Sequence, residues 1–243
     1  MGHGAQPHEW RHMHRFIVSL LVLISMSAAF GIAGAEETKT DREKSTAASP
    51  PPLEEILERV EQLYTGSAFA ADFKQTSTIK AMEISDTAFG RLQVAYPGKM
   101  RWEYIEPDPQ LIITDGESLW IYRPQDYQVM VGKADVFFGE GKGAGFLSDI
   151  GSIRRDFNIT LEDVHYGDYY SLKLLPHQPT YDLVAVFLLI NKKNFYISQV
   201  FTYNAYEDVT RIAFENLVFK DTLPDAIFHF DIPEGADILE LNE

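Results

Sequence analysis

The stretch that decides the fold is GRLQVAYPGKMRWEY, residues 90–104, in which two runs of alternating side chains flank a proline–glycine pair. Leu92 and Val94 alternate with polar residues before the pair, and Met100 and Trp102 alternate with charged residues after it. A period of two is typical of a β-strand with one apolar face, and proline with glycine is typical of a turn. The stretch therefore predicts an antiparallel hairpin that buries one of its faces.

The same alternation recurs along most of the chain beyond residue 68. The alternating segments are 69–75, 92–96, 100–104, 111–114, 118–122, 127–131, 157–161, 169–174, 183–190, 195–203, 209–219 and 227–232. Turn residues separate them, so the pattern predicts one antiparallel meander of about eleven or twelve short strands. A sheet of that size curls under its own twist.

Two helices are predicted beside this sheet. Apolar residues at spacings of three and four predict an amphipathic helix over Leu53–Tyr64, which ends at Gly66. A shorter helix is predicted where four apolar residues again have helical spacing: Phe146, Leu147, Ile150 and Ile153. The inner face of the sheet carries many apolar residues and the covering elements are few. We therefore expect either a cavity or a core with a movable lid.

A glycine-rich stretch, residues 139–145, leads into the second helix and includes Gly143 and Gly145. A phosphate-binding loop is disfavoured because the stretch lacks the Lys-Ser/Thr pair and carries Glu140 where an anion would bind. Glycine tolerates large backbone changes, so a hinge is the better interpretation.

The first residues have the features of an export signal. Arg11 and Arg15 precede an apolar run at residues 16–32, which ends in small residues. A membrane anchor is the alternative, although the run is short for a bilayer. We predict a cleaved signal peptide over residues 1–35, a flexible linker over 36–52 and a single domain over 53–243. The product is then exported, and in a bacterium with two membranes it is periplasmic.

Composition excludes several functional classes. The net charge of −15 argues against nucleic-acid binding, and the absence of cysteine excludes disulfides, thiolate catalysis and cysteine-bound metals. The histidines that follow the signal, at positions 165, 177 and 229, have no metal-binding spacing. No nucleophile elbow or other catalytic constellation stands out. We therefore predict a protein that is not an enzyme and that needs neither cofactor nor metal.

The order of several short motifs resembles a known family. The motifs are Phe73-Lys74-Gln75, Gly90-Arg91-Leu92, Tyr96 to Tyr104, Asp115 to Tyr122, Phe146-Leu147, Asp156 to Ile159 and Phe230 to Gly235. Together with the entry helix they resemble the outer-membrane lipoprotein carrier family, LolA. The resemblance spans nearly the whole predicted domain, from about Leu53 to Gly235.

This resemblance implies an incomplete antiparallel barrel closed by an amphipathic helical lid over an apolar cavity for the acyl chains of a lipoprotein. It also implies an inner-membrane ABC transporter that loads the carrier, an outer-membrane acceptor that empties it, and a monomeric carrier. The residues expected to line the cavity are Phe73, Leu92, Val94, Met100, Trp102, Phe146, Leu147 and Ile150. On the residues alone, Met100 and Trp102 are as compatible with an ordinary core as with the lining of a cavity.

Lid closure is expected to involve Tyr96, Gly143, Gly145 and Ile153. Many members of the family carry an arginine just before the proline that is Pro97 here, and that arginine holds the lid shut. Tyr96 takes its place, and a phenol carries no charge. Two other functions are kept as alternatives: a lipid-binding regulatory module of the same fold that acts on an envelope partner, and a hydrolase that uses the cavity as its substrate pocket.

Overall fold

The computed structural model describes residues 52–135, 145–163 and 166–241. The predicted signal peptide and all of the predicted linker except Pro52 lie outside these ranges, as do Gly143 and His165. Residues from Pro52 onward form one compact unit. Within the described ranges, no helix has the length and apolar character needed to cross a bilayer.

The described residues form two helices and twelve strands. In chain order they are α1 (Leu53–Tyr64), β1 (Ala68–Ile79), β2 (Ile84–Ala95), β3 (Lys99–Glu106), β4 (Gln110–Asp115), β5 (Ser118–Arg123), β6 (Gln128–Lys133), α2 (Ser152–Asp156), β7 (Phe157–Leu161), β8 (Tyr169–Pro176), β9 (Ala185–Asn191), β10 (Ile197–Tyr203), β11 (Val209–Lys220) and β12 (Asp237–Glu240). Short 3-10 turns occur at Lys80–Met82, Gly145–Leu147 and Asp225–Phe228.

All twelve strands belong to one sheet, in the order β12-β6-β5-β4-β3-β2-β1-β11-β10-β9-β8-β7. Neighbouring strands pair antiparallel, except that β12 runs parallel to β6. The outermost strands, β7 and β12, do not pair with each other, so the sheet is open. The predicted incomplete antiparallel barrel is confirmed.

The hairpin of β2 and β3 forms as the alternation predicts. Leu92 lies opposite Trp102, and Val94 lies opposite Met100. Directly opposed residues point to the same side of a sheet, so these four side chains share one face. All four are buried, and this face is the inner face of the sheet.

Helix α1 covers part of the inner face. Its buried side includes Ile56, Leu57, Val60 and Tyr64, at the predicted spacing. The Ile197 N–H donates to the Tyr64 hydroxyl across 2.9 Å, which fixes the end of the helix to β10. Gly66 follows with a φ of +74°, a conformation that glycine adopts without strain, so the predicted stop is confirmed.

The strand predicted over residues 227–232 is wrong. This part of the chain forms the 3-10 turn Asp225–Phe228 and then an extended stretch outside the sheet. Pro224 and Pro233 flank it, and proline removes backbone N–H donors that a strand needs. The stretch lies against the outer face of β3 to β5, where Lys99 pairs with Asp225 at 2.7 Å and the Trp120 and His229 rings are 6.1 Å apart. The last strand is β12 instead.

The second predicted helix is divided in two. Residues 145–156, which we call the covering segment, begin with the 3-10 turn Gly145–Leu147 and end with α2. Asp149 and Gly151 lie between the two parts, and both residue types are poor in a helix interior. Phe146, Leu147, Ile150 and Ile153 are nevertheless all buried, as their spacing predicts.

Candidate functional site

The structure brings the expected cavity-lining residues together in one apolar cluster. Strand residues and covering-segment residues both belong to it, together with the buried side of α1: Phe73, Leu92, Val94, Met100, Trp102, Phe146, Leu147 and Ile150. Each of these eight side chains is at most 5% exposed. In this conformation they are covered by protein atoms.

Three aromatic rings of β1 and β3 contact one another, two of them in this cluster and the third packed against it. The Phe73 ring is 5.1 Å from the Trp102 ring and 5.1 Å from the Tyr104 ring, and Trp102 and Tyr104 are stacked. Gly90 lies directly opposite Phe73 on β2. A side-chain carbon at position 90 would lie 2.0 Å from the Glu103 carbonyl oxygen and 2.6 Å from the Phe73 ring. The absence of a side chain at Gly90 therefore makes room for the Phe73 ring.

The sequence-based list omits about half of the inner surface. Strands β7 to β10 contribute a second set of buried apolar residues to the same cluster: Phe157, Leu172, Leu174, Val186, Leu188, Ile190, Ile197 and Val200. Their alternation was visible in the sequence, but the pairing of β1 with β11 that brings the two halves together was not. The list also omits Tyr104 and Gln75, whose polar groups lie on the inner face.

The residues expected to close the lid lie in different places. Ile153 is buried in the cluster, and Gly145 begins the covering segment. Tyr96 is 40% exposed, and in the part of the chain that the structure describes its hydroxyl makes no hydrogen bond to the covering segment. The neighbouring Gly98 makes the contact instead, because its N–H donates to the Ser148 carbonyl oxygen across 2.9 Å.

Arg154 connects the covering segment to α1. Its Nε lies 2.5 Å from Glu61 Oε1, and its Nη1 lies 2.8 Å from the Glu54 carboxylate. The hydrogen bond from Arg154 lowers the pKa of the Glu54 carboxyl below its ordinary value. Within the ranges that the structure describes, the ion pairs of the next residue, Arg155, both lie inside the covering segment, with Asp149 and Asp156. Polar attachment of the segment to α1 thus depends on Arg154.

The site has the chemistry of an apolar binding site. Among the described residues, no group of three or more His, Asp and Glu side chains is arranged to hold a metal ion. His229 lies on the outer face, largely exposed and 3.4 Å from Asp231, away from the cluster. What the inner face offers a ligand is hydrocarbon surface with a few polar atoms.

A sequence model of the family described as outer membrane lipoprotein carrier protein LolA matches residues 65–231 of this chain. The chain belongs to the LolA family. The match runs from the end of α1 to the stretch after the Asp225–Phe228 turn, so it includes most of the sheet and the covering segment.

Relatives in the LolA family are similar over most of their length. An outer-membrane lipoprotein carrier protein of Chromobacterium violaceum is 34% identical over 170 residues, which are 70% of this chain and 80% of that protein. The corresponding protein of Nitrosomonas europaea is 30% identical over 171 residues, 70% of this chain and 82% of that one. A crystal structure of a LolA superfamily protein from the same organism has a TM-score of 0.44 at 15% identity, over 73% of this chain and 97% of that one.

Proposed function

We propose that this protein is a periplasmic carrier that binds the acyl chains of lipoproteins against the inner face of its sheet and moves them from the inner to the outer membrane. Membership of the LolA family supports this function. The observation that carries the proposal is the single apolar cluster shared by β1 to β3, β7 to β11, α1 and the covering segment. Displacing the covering segment uncovers a continuous hydrocarbon surface on the sheet.

The covering segment behaves as a substitute for the ligand. When it moves outward, four buried side chains lose their contacts, which costs about 6–12 kcal/mol at roughly 1.5–3 kcal/mol each. Transfer of one ~16-carbon acyl chain from water recovers about 11 kcal/mol at ~0.8 kcal/mol per methylene. One chain nearly balances the displaced side chains, whereas two or three exceed them. This balance favours lipoproteins with several acyl chains.

The same balance determines what the partners must do. We propose that an inner-membrane ABC transporter loads the carrier and that an outer-membrane acceptor empties it. Loading removes acyl chains from a bilayer and therefore requires external energy, whereas unloading can proceed toward a tighter acceptor. A net charge of −15 keeps the carrier itself away from anionic lipid surfaces. The cleaved signal peptide over residues 1–35 and a monomeric state belong to the same proposal.

The function is tested with lipopeptides that differ only in acylation. The full chain is expressed in a bacterium with two membranes, purified from the periplasm and incubated with a triacylated, a monoacylated or an unacylated peptide of the same sequence. We expect a one-to-one complex with the triacylated peptide in native mass spectrometry, a weaker one with the monoacylated peptide and none with the unacylated peptide. Equal binding of all three would contradict the proposal. Binding without transfer to acceptor-containing vesicles would favour a regulatory lipid-binding module instead.

Replacement of Arg154 tests the attachment of the covering segment to α1. Arg154→Gln removes both ion pairs to α1, so the open state becomes more populated, and apparent affinity rises in proportion to that population. Because one of the two pairs is exposed and the other only half-buried, each contributes modestly, and we expect acyl-chain affinity to increase about three- to tenfold. Displacement of a fluorescent acyl probe measures the change.

Arg155→Gln is the matched control. It removes the neighbouring guanidinium but leaves both contacts between Arg154 and α1 in place. We expect its affinity to stay within twofold of the wild type, since its partners Asp149 and Asp156 lie in the covering segment itself. An equal increase in both variants would mean that net charge, and not the attachment to α1, controls access.

A further inference from the structure

A buried hydrogen-bond donor belongs to the apolar cluster. Trp102 Nε1 is buried and has no hydrogen-bond partner among the described residues. The residue as a whole is 5% exposed, so bulk solvent has little access to it. Buried polar groups are normally paired, and an indole N–H without an acceptor is unfavourable in an apolar interior. A surface meant only for hydrocarbon gains nothing from this donor.

Polar groups continue from Trp102 along the same inner face. The Tyr104 hydroxyl donates to Gln75 Oε1 across 2.9 Å, and Gln75 Nε2 donates to Ser77 Oγ across 3.2 Å. Burial raises the pKa of the Tyr104 phenol, so the hydroxyl stays protonated and remains a donor. Ser77 lies near Thr210 of β11, with 3.5 Å between the hydroxyl oxygens. We call Tyr104, Gln75 and Ser77 the polar row.

The inner face is therefore polar at one end of β3 and apolar at the other. From Trp102, the polar row leads toward the hairpin between β1 and β2, where Met82 and Ile84 are exposed. In the opposite direction lie Met100 and then Gly98, which contacts the covering segment. The unpaired indole N–H lies at the boundary between the two ends.

We propose that Trp102 Nε1 donates a hydrogen bond to the carbonyl oxygen of a bound acyl ester or amide, with the hydrocarbon toward Met100 and the polar head toward the polar row. The inference rests on the proposed function and adds a chemical requirement to it, because the site selects acyl groups over plain alkyl chains. A carbonyl oxygen is an acceptor without a hydrogen, and it completes the one pairing that Trp102 lacks. The polar row then receives the ester and head-group atoms beyond it.

The test compares two ligands that differ only at the carbonyl. Dipalmitoylglycerol is a diester, and dihexadecylglycerol is the diether with two chains of the same length and the same head. Affinities are measured by displacement of a fluorescent acyl probe. Since only the ester has the carbonyl oxygen that is proposed to accept from the buried donor, we expect the wild type to bind the ester about five- to tenfold more tightly.

Trp102→Phe removes the N–H and keeps an aromatic ring, so the ester and the ether are expected to bind equally. Trp120→Phe is the matched control, because Trp120 lies on the outer face against His229, and the preference for the ester should remain. Should Trp102→Phe fail to fold, 3-benzothienylalanine at position 102 replaces the N–H with sulfur at nearly unchanged shape. The proposal is supported if the preference for the ester is lost when Trp102 is replaced and is kept when Trp120 is replaced.

Three results would overturn it. The first is equal binding of ester and ether by the wild type, and the second is a preference for the ester that persists without the Trp102 N–H. Either result would show that Trp102 does not bind the carbonyl oxygen, but neither would contradict acyl-chain binding. Failure of the wild type to bind either ligand removes acyl-chain binding itself and with it the proposed function. The two failures are therefore distinguishable in one set of measurements.

Discussion

Covalent attachment of the covering segment to α1 is expected to abolish uptake of acyl chains. Glu61→Cys together with Arg154→Cys places two thiols where the native side chains meet, and the chain contains no other cysteine. A short bifunctional thiol reagent then joins the covering segment to the helix. Because the inner residues are covered in this conformation, the apparent affinity falls with the open population, by ~100-fold or more.

The uptake of a triacylated peptide is measured before and after reaction with a cleavable reagent, and cleavage should restore it. The control is Asp149→Cys with Arg155→Cys, which joins two positions inside the covering segment and leaves its connection to α1 unchanged. We expect that linked control to take up cargo as the unlinked protein does. Normal uptake by the protein linked between positions 61 and 154 would show that acyl chains enter elsewhere.

Gly90→Ala is expected to destabilise the domain severely. The added carbon would lie 2.0 Å from a backbone carbonyl oxygen and 2.6 Å from the Phe73 ring, so β3 and the Phe73 ring must both move. Overpacking of a rigid core typically costs 1–3 kcal/mol, and contact with backbone places this variant at about 3 kcal/mol or above. The midpoint of urea unfolding falls accordingly, while the slope of the unfolding free energy against urea concentration stays unchanged.

Gly151→Ala provides the comparison. Gly151 has a φ of −64° and a ψ of −19°, which any residue adopts, and its added carbon would lie 3.4 Å from an Asp149 side-chain oxygen. We expect a change in the free energy of unfolding within about 0.5 kcal/mol of zero. If the two variants unfold at the same urea concentration, the close packing of Phe73 against Gly90 does not stabilise the fold.

Local patterns predicted the parts of this fold that depend on local chemistry. Leu92 and Trp102 share a face because side-chain alternation has a fixed period, and Leu53–Tyr64 is helical because its apolar spacing matches one helix face. The buried positions of the covering segment followed from the same argument. None of these inferences required knowledge of which strands are neighbours.

The remaining features depend on contacts between distant parts of the chain. The pairing of β1 with β11 joins segments about 140 residues apart, and no local pattern encodes it. Residues 227–232 alternate as a strand does, yet they lie outside the sheet. Prolines flank them, and the Ile227 carbonyl oxygen accepts a hydrogen bond from Arg101 of β3. The hydrogen bond between Gly98 and Ser148 joins two backbone groups, so no side-chain type in the sequence indicates it.

If the chain carries acyl chains as proposed, the unpaired outer strands have a consequence for the range of cargo. A closed barrel has a radius fixed by its number of strands and their stagger, so its interior admits ligands of one girth. Here β7 and β12 are not paired with each other, so the curvature of the sheet can increase or decrease without breaking a hydrogen bond between strands. One sheet can thereby bind groups of two or three hydrocarbon chains of unequal length.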